Sequence, residues 1–340
     1  MKLLVTGANG FLGRATVASA LAQGHAVRAL LRPGRSVDGL PWQGHENVEV
    51  AHAELSQDAA LNDALRGVDA VIHTAAAMTG DYDSQYAGTI DTTRALLAAM
   101  QNGAVMRLVG VSSFSVYDYD RPAAGAVLDS NAPLEADPNR RDDYTRIKLL
   151  QEQLFRDFAQ AGGQVTILRP GLIYGRNQLW GFFLGQALGP DRWLRLGPDS
   201  DELPLTYVEN CADALVLAAT QAQAVGETLN IVDDDRRGRQ AFIAALNRHP
   251  ALRKSVLGFP WRLHQLLAAL ASFVNDRLAG GRLPLPGLLR TRALNARFKA
   301  LRYSNDRAKQ VLGWRPAYDV DQAIQRSLQD KVATDGPRRG

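Results

Sequence analysis

The chain carries one cysteine, Cys211, in 340 residues, so no internal disulfide supports the fold. Six histidines and that lone thiol form no cluster at zinc spacing, and no metal site is expected. Long apolar runs are also missing. The longest, around Leu263 to Val274, is roughly a dozen residues, short of the roughly 20 that cross a bilayer. Met1-Lys2-Leu3-Leu4-Val5 runs straight into Thr6-Gly7 with no extended apolar segment or small-residue cleavage site, and reads as a strand rather than a signal peptide. No internal repeat or polar linker divides the chain. What is present is ample for a full core: 46% of residues are hydrophobic and 22% charged, which excludes a disordered chain. A soluble, cytoplasmic protein is expected.

The net charge of +4 conceals an asymmetry. From Arg236 to Arg302 there are 14 Lys and Arg against a single acid, Asp276, a local balance of +13. The rest of the chain is therefore acidic.

Strand-like runs at Leu3–Val5, Val27–Leu31, Val48–Val50, Ala70–Ile72 and Arg107–Val111 alternate with helical patterns over Gly13–Gln23, Ala59–Arg66 and Thr89–Gln101. Such alternation builds right-handed βαβ units and a parallel sheet covered on both faces. A helix over Asp143–Ala161 and a strand over Val165–Leu168 follow. Beyond Gly175 the pattern loosens into a Gly-, Pro- and Trp-rich region. The predicted fold is α/β, a Rossmann-type doubly wound parallel sheet with a smaller C-terminal substrate region. Residues 1–175 are expected to form the sheet-bearing core and 176–335 mainly the smaller region, interleaved with it, with 207–235 returning to the core.

Thr6-Gly7-Ala8-Asn9-Gly10-Phe11-Leu12-Gly13 follows the first strand and opens a helix. Gly7, Gly10 and Gly13 there allow a tight turn, close approach to a pyrophosphate and close helix–sheet packing, while the helix N-terminus offers N–H groups. The place near the second strand's end, where an acid usually takes the ribose hydroxyls, holds Leu31 and then Arg32, with Arg35 nearby. A guanidinium there pairs with a 2′-phosphate, so NADP is favoured over NAD. After the third strand, Glu54 could accept from the adenine amino group and Leu55 flank it.

Tyr144 and Lys148 stand at i and i+4 on a helix and share a face. A phenol with a pKa near 10 needs help to act at neutral pH, and an ammonium together with an oxidised nicotinamide can supply it. Val111-Ser112-Ser113-Phe114-Ser115-Val116-Tyr117 lies just past a strand end, where a serine hydroxyl can donate to a substrate carbonyl.

Taken in order, these segments resemble the extended short-chain dehydrogenase/reductase superfamily, which includes the NAD-dependent epimerases and dehydratases. The resemblance also covers Val71 to Ala76, Leu168 to Gly175, Leu205 to Ala214 and Tyr303 to Pro316, almost the whole chain. It implies a nicotinamide cofactor held by Gly7, Asn9, Gly10, Phe11, Leu12, Gly13, Arg32, Glu54, Leu55, Thr74, Ala75, Ala76, Tyr144, Lys148 and Pro170. It implies Tyr144 as acid/base, Lys148 as ribose ligand, and Ser113 as catalytic serine with Ser112 as the fallback. Met78, Ser115, Tyr174 and Leu205 are the expected substrate contacts, and a homodimer through the Tyr144 helix is a family expectation.

Two departures matter. Thr89 stands where the family often has the asparagine of a proton relay. Leu203-Pro204-Leu205 replaces the Arg-Asp-aromatic run whose arginine reaches a substrate diphosphate in nucleotide-sugar enzymes. Phe259-Pro260-Trp261, the apolar helix after it and Leu283-Pro284-Leu285-Pro286 are similar to the 3β-hydroxysteroid dehydrogenase-like branch, where this region encloses an apolar substrate. A loop with Leu179, Trp180, Phe182 and Phe183 suits such a pocket.

The expected function is NAD(P)-dependent interconversion of a secondary alcohol and a ketone on an apolar or amphipathic small molecule: sterol-like, isoprenoid or β-hydroxy/keto. A nucleotide-sugar epimerase or dehydratase is the second reading, and a non-catalytic NAD(P)-binding sensor or scaffold the third. No nucleic-acid partner is expected. Leu263, Leu266, Leu267, Leu270 and Val274 fall on one helical stripe within the basic third. Such stripes usually pack on their own core; here, peripheral contact with the inner face of a membrane is the alternative.

Overall fold

The computed structural model describes residues 1–56, 58–198, 201–278, 289 and 291–334. Leu283–Pro286 lie outside the described residues. Seven parallel strands form the central sheet: β1 Lys2–Thr6, β2 Ala26–Leu31, β3 Val48–His52, β4 Ala70–His73, β5 Arg107–Val111, β6 Gln164–Pro170 and β7 Thr228–Ile231. Their spatial order is β7-β6-β5-β4-β1-β2-β3. The order reverses between β1 and β4, and ligand crevices in doubly wound sheets open at that point, beyond the strands' C-terminal ends.

Helices α1 Phe11–Ala22 and α6 Val208–Thr220 cover one face. Val17, Ala214, Leu215 and Ala218 pack there against Val5, Ile72 and Val109, all fully buried. The other face is covered by α2 Asp58–Leu65, α4 Thr92–Asn102 and α5 Asp143–Gln160. Gly110 explains how closely α5 approaches: a Cβ at that position would lie 2.5 Å from the Phe155 ring. With β7 at the sheet edge and α6 on its face, residues 208–231 pack on the first 170.

The helix expected from Thr89 is differently built. A short helix, α3 Tyr82–Tyr86, leads through one π-helical turn, Ala87–Asp91, into α4. Asp81 caps α3 by accepting from the Ser84 amide at 2.9 Å. The hydroxyls of Thr92 and Thr93 bond back to the Gly88 and Thr89 carbonyls at 3.0 and 2.5 Å, and such back-bonding accompanies widened turns.

A second core, around Leu184, Trp193, Phe242 and Ile324, joins the C-terminal half to the sheet. It is built from α7 Arg239–Asn247, a three-stranded sheet and the C-terminal helix. Helix α8, Trp261–Leu278, follows at the periphery.

Candidate active site

The glycine turn comes first in the chain. Gly7 adopts φ +66°, a left-handed conformation, and a Cβ there would press on the Ala75 backbone at 3.1 Å. A Cβ at Gly13 would fall 2.1 Å from the Gly7 carbonyl oxygen. Only glycine lets α1 start so close to β1. Gly10 caps the helix with its own side exposed, so the first amides of α1 face the crevice. Asn9, Phe11 and Leu12 are half-buried around it. Arg14, which sequence reasoning passed over, donates to the Asn9 carbonyl at 2.9 Å and adds a cation beside the turn.

The second wall is the end of β4. Thr74 Oγ1 donates to the Thr6 carbonyl at 2.6 Å and the Ala75 amide to Thr6 Oγ1 at 3.3 Å, tying this loop to the glycine turn. Ala75 and Ala76 are half-buried and Met78 is 61% exposed. At the far end of the crevice Leu31 is buried, whereas Arg32 and Arg35 are exposed. Neither guanidinium has an ion-pair partner among the described residues. Glu54 is exposed and Leu55 half-buried after β3, and Pro170 is buried at the end of β6.

The reactive group comes from α5. Asp142 caps this helix, accepting from the Thr145 amide at 2.9 Å, which fixes Tyr144 in the first turn. Tyr144, Lys148, Gln151 and Phe155 follow at i, i+4, i+7 and i+11, so one stripe carries both chemistry and core. Ser113, at the end of β5, lies by the Tyr144 phenol, near enough to lower its pKa. Its Oγ also accepts from the Ser115 amide at 3.1 Å, which orients it. Ser112 is committed elsewhere: buried, it donates to Glu152, which in turn holds Arg169 through two bonds of 2.8 Å. That geometry separates the two serines and leaves Ser113 at the phenol.

Burial raises the Tyr144 pKa above its ordinary value, the Ser113 hydrogen bond opposes this and Asp142 adds to it. The protein by itself thus keeps the phenol protonated at neutral pH. Lys148 is pushed down to about 8 by burial, against the attraction of Glu152. Its Nζ lies 6.0 Å from the Tyr144 ring centre and donates to the Val111 carbonyl at 3.0 Å and Gln151 Oε1 at 2.9 Å.

The expected substrate contacts divide. Ser115 Oγ is buried with no hydrogen-bond partner among the described residues, beside Ser113, and Met78 stands open. Tyr174 and Leu205 are wholly enclosed in the second core, so the structure places them in packing, not on an open face. Leu203 is buried beside Leu205, and neither offers a cation. In the aromatic loop Leu179 and Phe183 are core, Trp180 is anchored by its Nε1–H to the Leu252 carbonyl at 2.9 Å, and only Phe182, 62% exposed, is free to meet a ligand.

No sequence signal pointed to Arg141 or Gln151. Arg141 is buried under the Ser113–Ser115 turn, reaching the Tyr117 carbonyl at 3.2 Å and the Ser115 carbonyl at 3.4 Å. The hydroxyl of Thr89, the relay position, instead accepts the Ala77 amide at 3.0 Å.

A sequence model of the NAD dependent epimerase/dehydratase family matches residues 3–232. The chain belongs to that family. Within it, the chain is 27% identical over 354 residues to the 3 beta-hydroxysteroid dehydrogenase/Delta 5-->4-isomerase of Mycobacterium tuberculosis, covering 96% of this chain and 89% of that protein. It is 32% identical over 225 residues to the 2-alkyl-3-oxoalkanoate reductase of Stenotrophomonas maltophilia, 64% of this chain and 65% of the relative. The match to sterol demethylase protein B of Methylococcus capsulatus, 33% identical, spans about half of either chain, 52%. The UDP-glucose-4-epimerase of Stenotrophomonas maltophila, solved with bound NAD, superposes with a TM-score of 0.74 at 20% identity over 98% of both chains. That last likeness is one of fold. Family membership places the chain among the NAD(P)-dependent enzymes of the extended short-chain type, and the glycine turn fits the cofactor, since side chains at Gly7 or Gly13 would strike the backbone of Ala75 and Gly7 and break the turn.

Proposed function

We propose that this protein interconverts a secondary alcohol and a ketone on an apolar or amphipathic substrate, with Tyr144 as acid/base. The placing of Ser113 by the Tyr144 phenol, at the sheet's C-terminal edge and beside buried Lys148, supports this reading. The nicotinamide cofactor, when bound, supplies or accepts the hydride. The first amides of α1 and the Gly7–Gly13 turn hold its phosphates, with Arg14 nearby. Lys148 holds the ribose and keeps positive charge beside the phenol. In the reductive direction Ser113 donates to the substrate oxygen and Tyr144 delivers its proton there, offsetting the developing negative charge. Ser115 supplies a second hydroxyl, and Met78 and Phe182 supply apolar surface.

An apolar substrate is supported by two observations. The Leu203-Pro204-Leu205 run supplies no arginine of the kind that reaches a substrate diphosphate in nucleotide-sugar enzymes, and relatives sharing 26–32% identity are named for ketone or steroid chemistry. Arg32, unpaired beyond β2, supports NADP over NAD. A cytoplasmic homodimer meeting along α5, where Leu150 is 42% exposed, belongs to the same reading.

A screen of sterols, keto acids and nucleotide sugars, followed by NAD(P)H absorbance and product analysis, tests it. Net oxidation or reduction with an apolar alcohol or ketone is the expected result. Isomerisation of a sugar with no net change in cofactor would replace the reading by an epimerase. Cofactor binding without turnover of any substrate class would favour a sensor.

A further inference from the structure

Helix α8 is amphipathic the wrong way round for a helix that only packs on its own protein. Its buried residues are small or polar: His264, Ala268 and Asn275 are 5%, 1% and 8% exposed. Its large apolar residues point outward. Leu263, Leu266, Leu267, Leu270, Phe273 and Val274 are between 40% and 65% exposed. At about 100° per residue these six fall within one stripe roughly 120° wide, centred away from the His264–Ala268–Asn275 side. Scattered exposed apolar residues need no explanation, but six neighbouring ones on a single helix face mark a contact surface.

The charge around the stripe narrows what covers it. Arg262 and Arg277 on α8 are both exposed, and the Arg277 guanidinium sits 5.7 Å from the Phe273 ring centre, at the rim of the apolar stripe. The segment Arg236–Arg302 has a sequence balance of +13, of which Arg236, Arg237 and Arg248 are paired with Asp234, Asp235 and Asp321, so the cations that α8 itself brings to this face are Arg262 and Arg277. A second copy meeting this face through a two-fold axis would bring Arg262 and Arg277 against the same two cations of its partner. An anionic surface has no such conflict. It takes the leucines into its interfacial layer while arginine stems extend to the headgroups.

We propose that the outer face of α8 docks on an anionic lipid surface, with the helix lying in the interface and no segment of it crossing. No described helix is long and apolar enough to cross a membrane. This proposal does not depend on the reaction argued above, since neither the stripe nor its cations belong to the glycine cradle or the Tyr144 site.

The test is co-sedimentation of the full chain with phosphatidylcholine vesicles, with and without phosphatidylglycerol, at low and high salt. The expected result is pelleting with the anionic vesicles at low salt, weakened at high salt. Leu266→Ser with Leu270→Ser should cut partitioning at least tenfold. Arg262→Gln and Arg277→Gln should each cut it about fivefold, the worth of one basic residue near an anionic surface. Circular dichroism and cofactor binding check that these variants fold. Failure of the parent protein to pellet at low salt overturns the proposal, as does pelleting that both sets of variants leave unchanged. Equal pelleting with neutral vesicles overturns the anionic preference. A concentration-dependent dimer that Leu266→Ser with Leu270→Ser dissolves, without any pelleting, assigns the face to a second copy instead.

Discussion

Lys148 donates to the side-chain oxygen of Gln151 at 2.9 Å, one turn further along the same buried face of α5. The other end of that amide donates to Thr93 Oγ1 at 3.0 Å, and Thr93 gives its own proton to the Thr89 carbonyl. His73 Nε2, 3.0 Å from the same hydroxyl, must therefore donate, and its Nδ1 accepts from Thr6 Oγ1 at 2.8 Å. A directed hydrogen-bond chain thus joins the proposed ribose-binding lysine to the strand that carries the glycine turn. Gln151→Leu should remove one acceptor from the ammonium and leave Thr93 with fewer donors. A loss of about 1.5–3 kcal/mol in urea unfolding is expected, the usual worth of a hydrogen bond to a charged group.

The same lysine sets an alkaline limit. Its pKa of about 8 means that the ammonium, and with it cofactor affinity, should fall as pH rises through 8. Stability moves the opposite way. The unfolded chain holds this proton up to the ordinary value of 10.5, so the cost of burying the charge fades as pH rises from 8 towards 10.5. Gln151→Glu, placing a carboxylate on the ammonium, should move the limit in cofactor titrations upward. An unmoved limit would separate it from Lys148.

Tyr144→Phe should lower turnover at least 10²-fold while leaving cofactor affinity nearly unchanged, because acid–base groups contribute about 10²–10⁴-fold and the phenol does not hold the phosphates. Ser113→Ala should raise the phenol pKa further, since it removes the hydrogen bond that opposes burial. Its pH profile in the oxidative direction should shift to higher pH. Steady-state rates with the substrate found by screening measure both, and near-normal turnover of the Tyr144 variant would sink the assignment.

Arg32→Ala should weaken NADP(H) on the order of tenfold or more, since a charge-assisted phosphate contact is worth roughly 1.5–3 kcal/mol. NAD(H) affinity should hardly change. Calorimetric titration of both cofactors decides it, and tighter NAD(H) binding by the parent protein would reverse the preference.

The sheet and the glycine turn were legible because their signals are local. Continuous apolar runs such as Leu3–Val5, and three glycines at fixed offsets, need no tertiary context to be read. Tyr144 and Lys148 were legible for the same reason, as helix spacing alone puts them on one face. Between the two serines the family resemblance favoured Ser113, but the physical reason was out of reach, because what distinguishes them is a distant partner: Glu152 takes Ser112. Gln151, Arg141 and the His73–Thr93 contact were invisible for the same physical reason, each joining residues at least 20 positions apart or turned inward by packing. Tyr174 looked like a strand-end substrate contact, yet Tyr207 and Phe242 close around it. The stripe on α8 was visible as a period, but whether it faced in or out depended on the small residues at 264, 268 and 275 being the ones that pack.

His73 should make the protein acid-sensitive in a way that can be isolated. Burial, aided by the nearby Lys148 charge, holds its pKa down to about 3, against an ordinary value of 6.5. Below pH 6.5 the unfolded chain therefore gains a proton that the folded one refuses, and stability drops as pH falls from 6.5 towards 3. One proton per molecule corresponds to about 1.4 kcal/mol per pH unit. Other groups titrate in the same range, so the parent curve alone is not diagnostic. His73→Leu removes this proton while costing stability at every pH, because Thr6 and Thr93 lose their shared partner. The difference in unfolding free energy between parent and variant should thus shrink by about 1.4 kcal/mol per unit between pH 6 and pH 4. Parallel curves for the two proteins would mean that His73 accepts its proton in the folded state, where an imidazolium donating from both nitrogens would turn the Thr6 bond round.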